Sequence, residues 1–262
     1  MNLNSKLVLF DIDGTITDIN LSKLKAQIQY YEQLGVVFGL NTNRPLKDCS
    51  DIYKELDLNG PMIVEDGSFY KLKEDDALGY DADGAIRIND RTIELLKRNE
   101  IYGGILADVI VTADKSILED QRAGSLILIT PDRNYTSSVY VRSGGRIDEK
   151  MTDAVFKYLD KAFLSEGISV RIKKISEFGK IIISGKATNR IKTLQEVAYK
   201  YFNKYDILIV SDFEPISDFE SSNIVFSSVK NGEIAYKTRS KIVATKEGED
   251  GIIEILNIFL KH

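Results

Sequence analysis

Apolar residues along this chain follow one rhythm, leave it, and return to it. Lys6–Phe10 is a short apolar run that ends at Asp11, the pattern of a strand buried on both faces of a parallel sheet. Leu21, Leu24, Ile28, Tyr31 and Leu34 then fall on one helical stripe, which Gly35 ends. Residues 36–40 read as a second strand, running into Asn41-Thr42-Asn43-Arg44. Pro45 suits the opening of a helix whose inward positions are Leu46, Cys49, Ile52, Tyr53 and Leu56, and residues 61–64 give a third strand. Strand, helix, strand, helix, strand predicts right-handed crossovers and a parallel sheet.

The rhythm breaks after Phe69. Residues 70 to about 90 are charged and contain glycine, which predicts a linker or loops. Strands are expected at 125–130 and 139–141, around the turn-like Pro131-Asp132-Arg133-Asn134. A helix from 148 to about 164 carries Val155, Phe156, Leu159 and Phe163 on one side, and strands follow at 169–175 and 180–184. This stretch reads as a separate α+β module. From about 187 the alternation returns. Ile191, Leu194, Val197, Ala198 and Tyr201 mark a helix, 207–210 a wholly apolar strand, 223–226 and 241–244 further strands, and 251–260 a closing helix. The expected fold is therefore α/β, with a Rossmann-like parallel-sheet core of residues 1–70 and 182–262. The inserted α+β domain spans 71–181.

Composition narrows the chemistry. Of 262 residues, 43% are hydrophobic, enough for a sizeable core, or for one core plus an inserted second one. A formal net charge of −5 gives no support for nucleic acid or an anionic membrane as partner. The single cysteine, Cys49, cannot close an internal disulfide, and no apolar run approaches the ~20 residues of a membrane span. A cytoplasmic protein without a signal peptide, monomeric or homodimeric, is the expectation. The one histidine is His262, so a Ser-His-Asp triad or a histidine-rich zinc site is excluded in practice. Carboxylates, lysines and hydroxyls must carry any catalysis.

Ligands of open α/β sheets bind at the carboxyl ends of the strands. The polar residues there are Asp11 and Asp13 after the first strand, Thr42 and Asn43 after the second, Lys186 after 180–184, and Asp212 after 207–210. They form a consistent set. Asp11 and Asp212 can offer a hard dication such as Mg²⁺ two carboxylates. An aspartate can attack phosphorus, and a second acid two residues on can protonate the leaving oxygen and later activate water. A lysine and a hydroxyl would neutralise the transferring oxygens. Asp81-Ala82-Asp83-Gly84 repeats the D-x-D-G spacing but follows no apolar strand, so it reads as loop.

These residues resemble the haloacid dehalogenase superfamily. Asp11-Ile12-Asp13-Gly14-Thr15 matches its first motif and Thr42-Asn43-Arg44 is similar to its second. Pro61-Met62-Ile63-Val64-Glu65-Asp66-Gly67 resembles the segment leading into the cap in members with the second cap type (C2B), the Cof-like sugar phosphatases and archaeal phosphoglycolate phosphatases. The resemblance implies Asp11 as nucleophile and metal ligand, and Asp13 as acid/base that also gives the metal a backbone oxygen. It implies Thr42, Asn43 and Lys186 around the phosphoryl group, and Asp212 as a further ligand of Mg²⁺. The fourth motif departs from the family pattern, since Asp218 or Glu214 must stand in for its second acid. The implied activity is hydrolysis of a small phosphorylated metabolite, a sugar phosphate or a phosphoglycolate-like acid. A phosphomutase and a non-catalytic phosphate-ligand binder are the alternatives.

Overall fold

The computed structural model describes residues 6–73, 78–79, 87–119, 124–186, 190–204, 206–213 and 224–261. Asp81 to Gly84, Glu214 and Asp218 lie outside the described residues. The chain divides into two compact units, Met1–Tyr80 with Asn189–His262, and Asp81–Thr188.

The first unit begins β1 (Lys6–Phe10), α1 (Leu21–Glu32), β2 (Val37–Asn41), α2 (Leu46–Glu55), β3 (Met62–Val64), β4 (Phe69–Lys71) and β5 (Leu78–Gly79). All five β1 residues are buried, as a central parallel strand requires. Even Lys6 is buried, and its ammonium donates to the carbonyl of Phe259.

The second unit contains α3 (Ile88–Lys97), β6 (Ile101–Tyr102), β7 (Ile105–Val111), β8 (Ser125–Ile129), β9 (Thr136–Ser143), β10 (Arg146–Ile147), α4 (Glu149–Ser165), β11 (Val170–Ile175) and β12 (Lys180–Gly185). Its sheet order is β11-β12-β9-β8-β7-β6. α3 and α4 cover one face, where Leu95, Leu96, Val155, Leu159 and Phe163 pack on Ile127, Val139, Val141 and Ile181.

The chain then returns to the first unit as α5 (Arg190–Phe202), β13 (Asp206–Ser211), β14 (Ile224–Ser228), α6 (Ile234–Arg239), β15 (Ile242–Val243) and α7 (Gly248–Lys261). The first sheet has the order β15-β14-β13-β1-β2-β3-β4-β5. β1 pairs in parallel with β2 on one side and β13 on the other, so strand order reverses direction between β1 and β13. That is the topological switch point, where the carboxyl ends of the strands leave a crevice.

Three expectations change. Residues 70 to 90 are not merely linker: β4 and β5 extend the first sheet as antiparallel strands, and α3 begins at Ile88. The unit boundaries fall after Tyr80 and after Thr188 instead of 70 and 181, because β5 pairs with β4 and β12 pairs with β11 through Gly185. β7 and α6 were not foreseen. In β7 Asp108 interrupts the apolar run, and α6 is a helix of six residues. Among the described residues no helix is long and apolar enough to cross a membrane.

Candidate active site

The first unit gathers its acids at the switch point. The Asp11 amide donates to Val210 O at 2.9 Å, which carries the β1–β13 pairing one residue past the strand. The chain then folds back on Ile12, whose carbonyl accepts from the amides of Thr15, Ile16 and Thr17. Gly14 has φ +72°, and a Cβ there would stand 2.4 Å from Asp212 Oδ2. Glycine is required on both counts, for the left-handed backbone and for the close approach to Asp212. Asp212 follows β13 directly, and its carbonyl accepts from the Glu233 amide. Asp11 and Asp212 thus flank the β1/β13 crevice.

Electrostatics follow from this crowding. The Asp11 carboxyl is raised to about 7, chiefly by burial; Arg190, the Ile12 amide and the Thr42 hydroxyl oppose the rise, while Asp212 adds repulsion. Asp212 is pushed up as well, first by burial and then by Glu233 and Asp13. Two acids that are both reluctant to ionise side by side suit a site completed by a cation.

The cation that bears most on Asp11 is Arg190, at the start of α5. Its Nε donates to Asn41 Oδ1 at 2.8 Å and its Nη2 to Asn41 O at 2.6 Å, while Nη1 lies 3.9 Å from Asp66 Oδ1. Asn43 donates its side-chain amide to Asp66 Oδ2. Glu65, Asp66 and Gly67 all have positive φ, a tight turn that brings Gly67 against Arg190, where a Cβ would stand 2.6 Å from the Arg190 Cα. Asp13 is exposed, and Arg44 grips it from the loop after β2, through Nε at 3.1 Å to both carboxylate oxygens and Nη2 at 2.5 Å to Oδ1.

Residues 8–248 match the family model of the haloacid dehalogenase-like hydrolases. The chain belongs to that family. A search of the curated proteins finds no match. Solved structures resemble this hydrolase along nearly its whole length. A Thermoplasma acidophilum protein is 16% identical, with a TM-score of 0.66 over 98% of this chain and 99% of its own. The sucrose-phosphatase of Synechocystis sp. PCC6803, solved with sucrose and phosphate, is 14% identical, with a TM-score of 0.63 over 97% and 98%. A sugar phosphatase of HAD subclass IIB is 12% identical, with a TM-score of 0.60 over the same shares. The shared fold is an α/β core with an inserted second domain, as the sequence pattern implied.

Within the first unit Asp11 meets Thr42 and Asp212, and Asp13 bears on Asp212, while Asn43 is tied to Asp66. Lys186, the expected phosphate-binding cation, belongs to the second unit, exposed at the end of β12, where its amide donates to Ser169 O at 3.2 Å. Arg190 opens α5 and does not end a strand, so the strand-end pattern does not reach it. The signal that marks it is a cation opening the apolar stripe of Ile191, Leu194 and Val197.

Proposed function

We propose that this hydrolase is a Mg²⁺-dependent phosphatase that cleaves phosphate monoesters of a small metabolite through an aspartyl-phosphate on Asp11. The carrying observation is the convergence of Asp212, Thr42 and Arg190 on Asp11 at the switch point. In the first step an Asp11 oxygen attacks phosphorus, the ester P–O bond breaks, and Asp13 gives a proton to the leaving oxygen. In the second, Asp13 takes a proton from water, which attacks phosphorus and frees Asp11 and inorganic phosphate. Thr42 and Arg190 bear the negative charge of the phosphoryl oxygens throughout. Asp13 must leave Arg44 to do this work, so the ion pair is a resting state of the acid/base. The phosphatases among the structural neighbours support the reading, and the sugar phosphatases among them suit a sugar-phosphate substrate.

The donor set fits Mg²⁺. Among the described residues there is no group of three or more metal-binding side chains. Mg²⁺ is typically held by one or two carboxylates, keeping several waters. Asp11, Asp212 and the Asp13 carbonyl would hold it, and when bound it supplies positive charge to the reacting phosphoryl group. The expected result is release of phosphate from p-nitrophenyl phosphate with Mg²⁺, lost in EDTA and restored by excess Mg²⁺. Undiminished turnover in EDTA would refute the metal requirement.

Gly14 tests the geometry. Gly14→Ala forces a Cβ against Asp212 Oδ2 and a left-handed backbone on alanine, costing about 1–2 kcal/mol in backbone strain. The Mg²⁺ concentration for half-maximal activity is expected to rise about tenfold or more. An unchanged Mg²⁺ titration would mean that Asp212 does not serve the metal.

A further inference from the structure

The loop between β14 and α6 ties together the two acid-bearing segments of the first unit, and the reaction above gives it no role. Asn231 donates its side-chain amide to Gly14 O at 2.8 Å, one residue past Asp13. The Glu233 amide donates to Asp212 O at 2.9 Å. Between them Gly232 packs so closely that a Cβ would stand 2.8 Å from the same Asp212 oxygen. Residues 231–233 therefore bridge the turn after β1, with Asp11 and Asp13, to the end of β13, with Asp212.

The Glu233 carboxylate is out of place on stability grounds. It stands at the N-cap of α6, where Ser, Thr, Asp or Asn would serve, and it makes no capping bond. It is exposed, and among the described residues it makes no ion pair. Lys230, three residues before it, pairs with Glu247 at 3.0 Å. Of the neighbouring charges Glu233 presses hardest on Asp212, ahead of Asp13. An unpaired acid set against another acid costs free energy unless a cation offsets the repulsion.

Asp11, Asp212 and Glu233 do not form a group that could grip one ion directly. That leaves a place one shell out, since Mg²⁺ keeps several waters and acids beyond the ligands orient what the ion holds. We propose that Glu233 is an outer acid of the Mg²⁺ site, accepting hydrogen bonds from the waters that the ion keeps. The inference rests on the metal requirement proposed above. Acting through water, Glu233 is a positioning residue, and Asn231 and Gly232 fix the loop that presents it. The plain alternative is a favourable interaction with the positive end of α6.

The test uses the full chain stripped of metal, with Mn²⁺ as the probe and free Mn²⁺ read by electron paramagnetic resonance. Glu233→Gln should weaken Mn²⁺ binding about tenfold, and Glu233→Asp should recover part of the loss. Glu247→Gln, which removes the same charge from the loop before α7, should stay within twofold of wild type. The metal-free Tm of Glu233→Gln should equal or exceed that of wild type, because a repulsion is gone. Equal Mn²⁺ affinity in wild type and Glu233→Gln would overturn the proposal. So would an equal loss in Glu247→Gln, which would trace the effect to overall charge. A lower metal-free Tm in Glu233→Gln would make the residue a support of α6 instead. Binding needs no turnover, so the failures separate. A wild type that binds no Mn²⁺ sinks the metal requirement and this inference together, whereas Mg²⁺-dependent phosphate release with an indifferent Glu233 sinks the inference alone.

Discussion

Asp11→Asn should abolish phosphate release, by at least about 10⁴-fold in kcat, and at the same time stabilise the metal-free protein at neutral pH. The first effect follows from removing the nucleophile, since an amide cannot form the acyl phosphate. The second follows from the sign of the shift. The Asp11 carboxyl is raised from 3.8 to about 7 in the folded chain, chiefly by burial. Below the unfolded value both states are protonated and no cost arises. As pH climbs from about 4 to 7, the unfolded chain ionises first, so folding loses stability progressively, then the loss levels off. At ~1.4 kcal/mol per unit, the loss is on the order of 2–4 kcal/mol once partial exposure is allowed for. The asparagine avoids that loss. In EDTA at pH 8 its apparent Tm should therefore exceed that of wild type by several degrees, and the gap should close near pH 4. Mg²⁺ should raise the wild-type Tm and leave the variant almost unmoved. A variant that is dead yet has no larger stability gap over wild type at pH 8 than at pH 4 would show that burial does not hold Asp11 near neutrality.

How much of this could be read from the chain alone differs from residue to residue. β1, β2 and β13 were legible because a strand buried on both faces must be apolar throughout, and so Asp11, Thr42 and Asp212 stood out at their ends. α3 was not, since its inward side includes Asn89 and Thr92, polar residues made buriable by bonds to Thr130 O and Ile88 O. β4 and β5 are three and two residues long, too short for a period-2 pattern to register. Arg44 was visible as part of a motif, but its grip on Asp13 is made across a sequence separation of 31 and has no local signature. The same holds for Arg190, which reaches Asn41 from 149 residues away.

Arg190 carries the second large expected effect. Lys186 follows strand β12 and resembles the family's phosphate-binding lysine, whereas Arg190 is the charge bearing most on Asp11. The two candidates part in mutation. If Arg190 holds the phosphoryl oxygens, Arg190→Ala should lower kcat/KM for p-nitrophenyl phosphate by about 10²–10³-fold, the scale of losing a charged transition-state contact. Arg190→Lys should recover only part. The guanidinium is fixed by two bonds to Asn41, through Nε and Nη2, and an ammonium cannot reproduce that planar grip. A pH profile separates this role from mere support of the fold. Arg190 pulls the Asp11 carboxyl down, so its removal should carry the acid limb of the rate profile to higher pH. Loss of activity with no move of that limb would make Arg190 a structural residue of the Asn41–Asp66 corner. If Lys186→Ala instead proved the more damaging change, the phosphoryl cation would be the lysine of the inserted unit, and Arg190 would serve to keep Asp11 ionised.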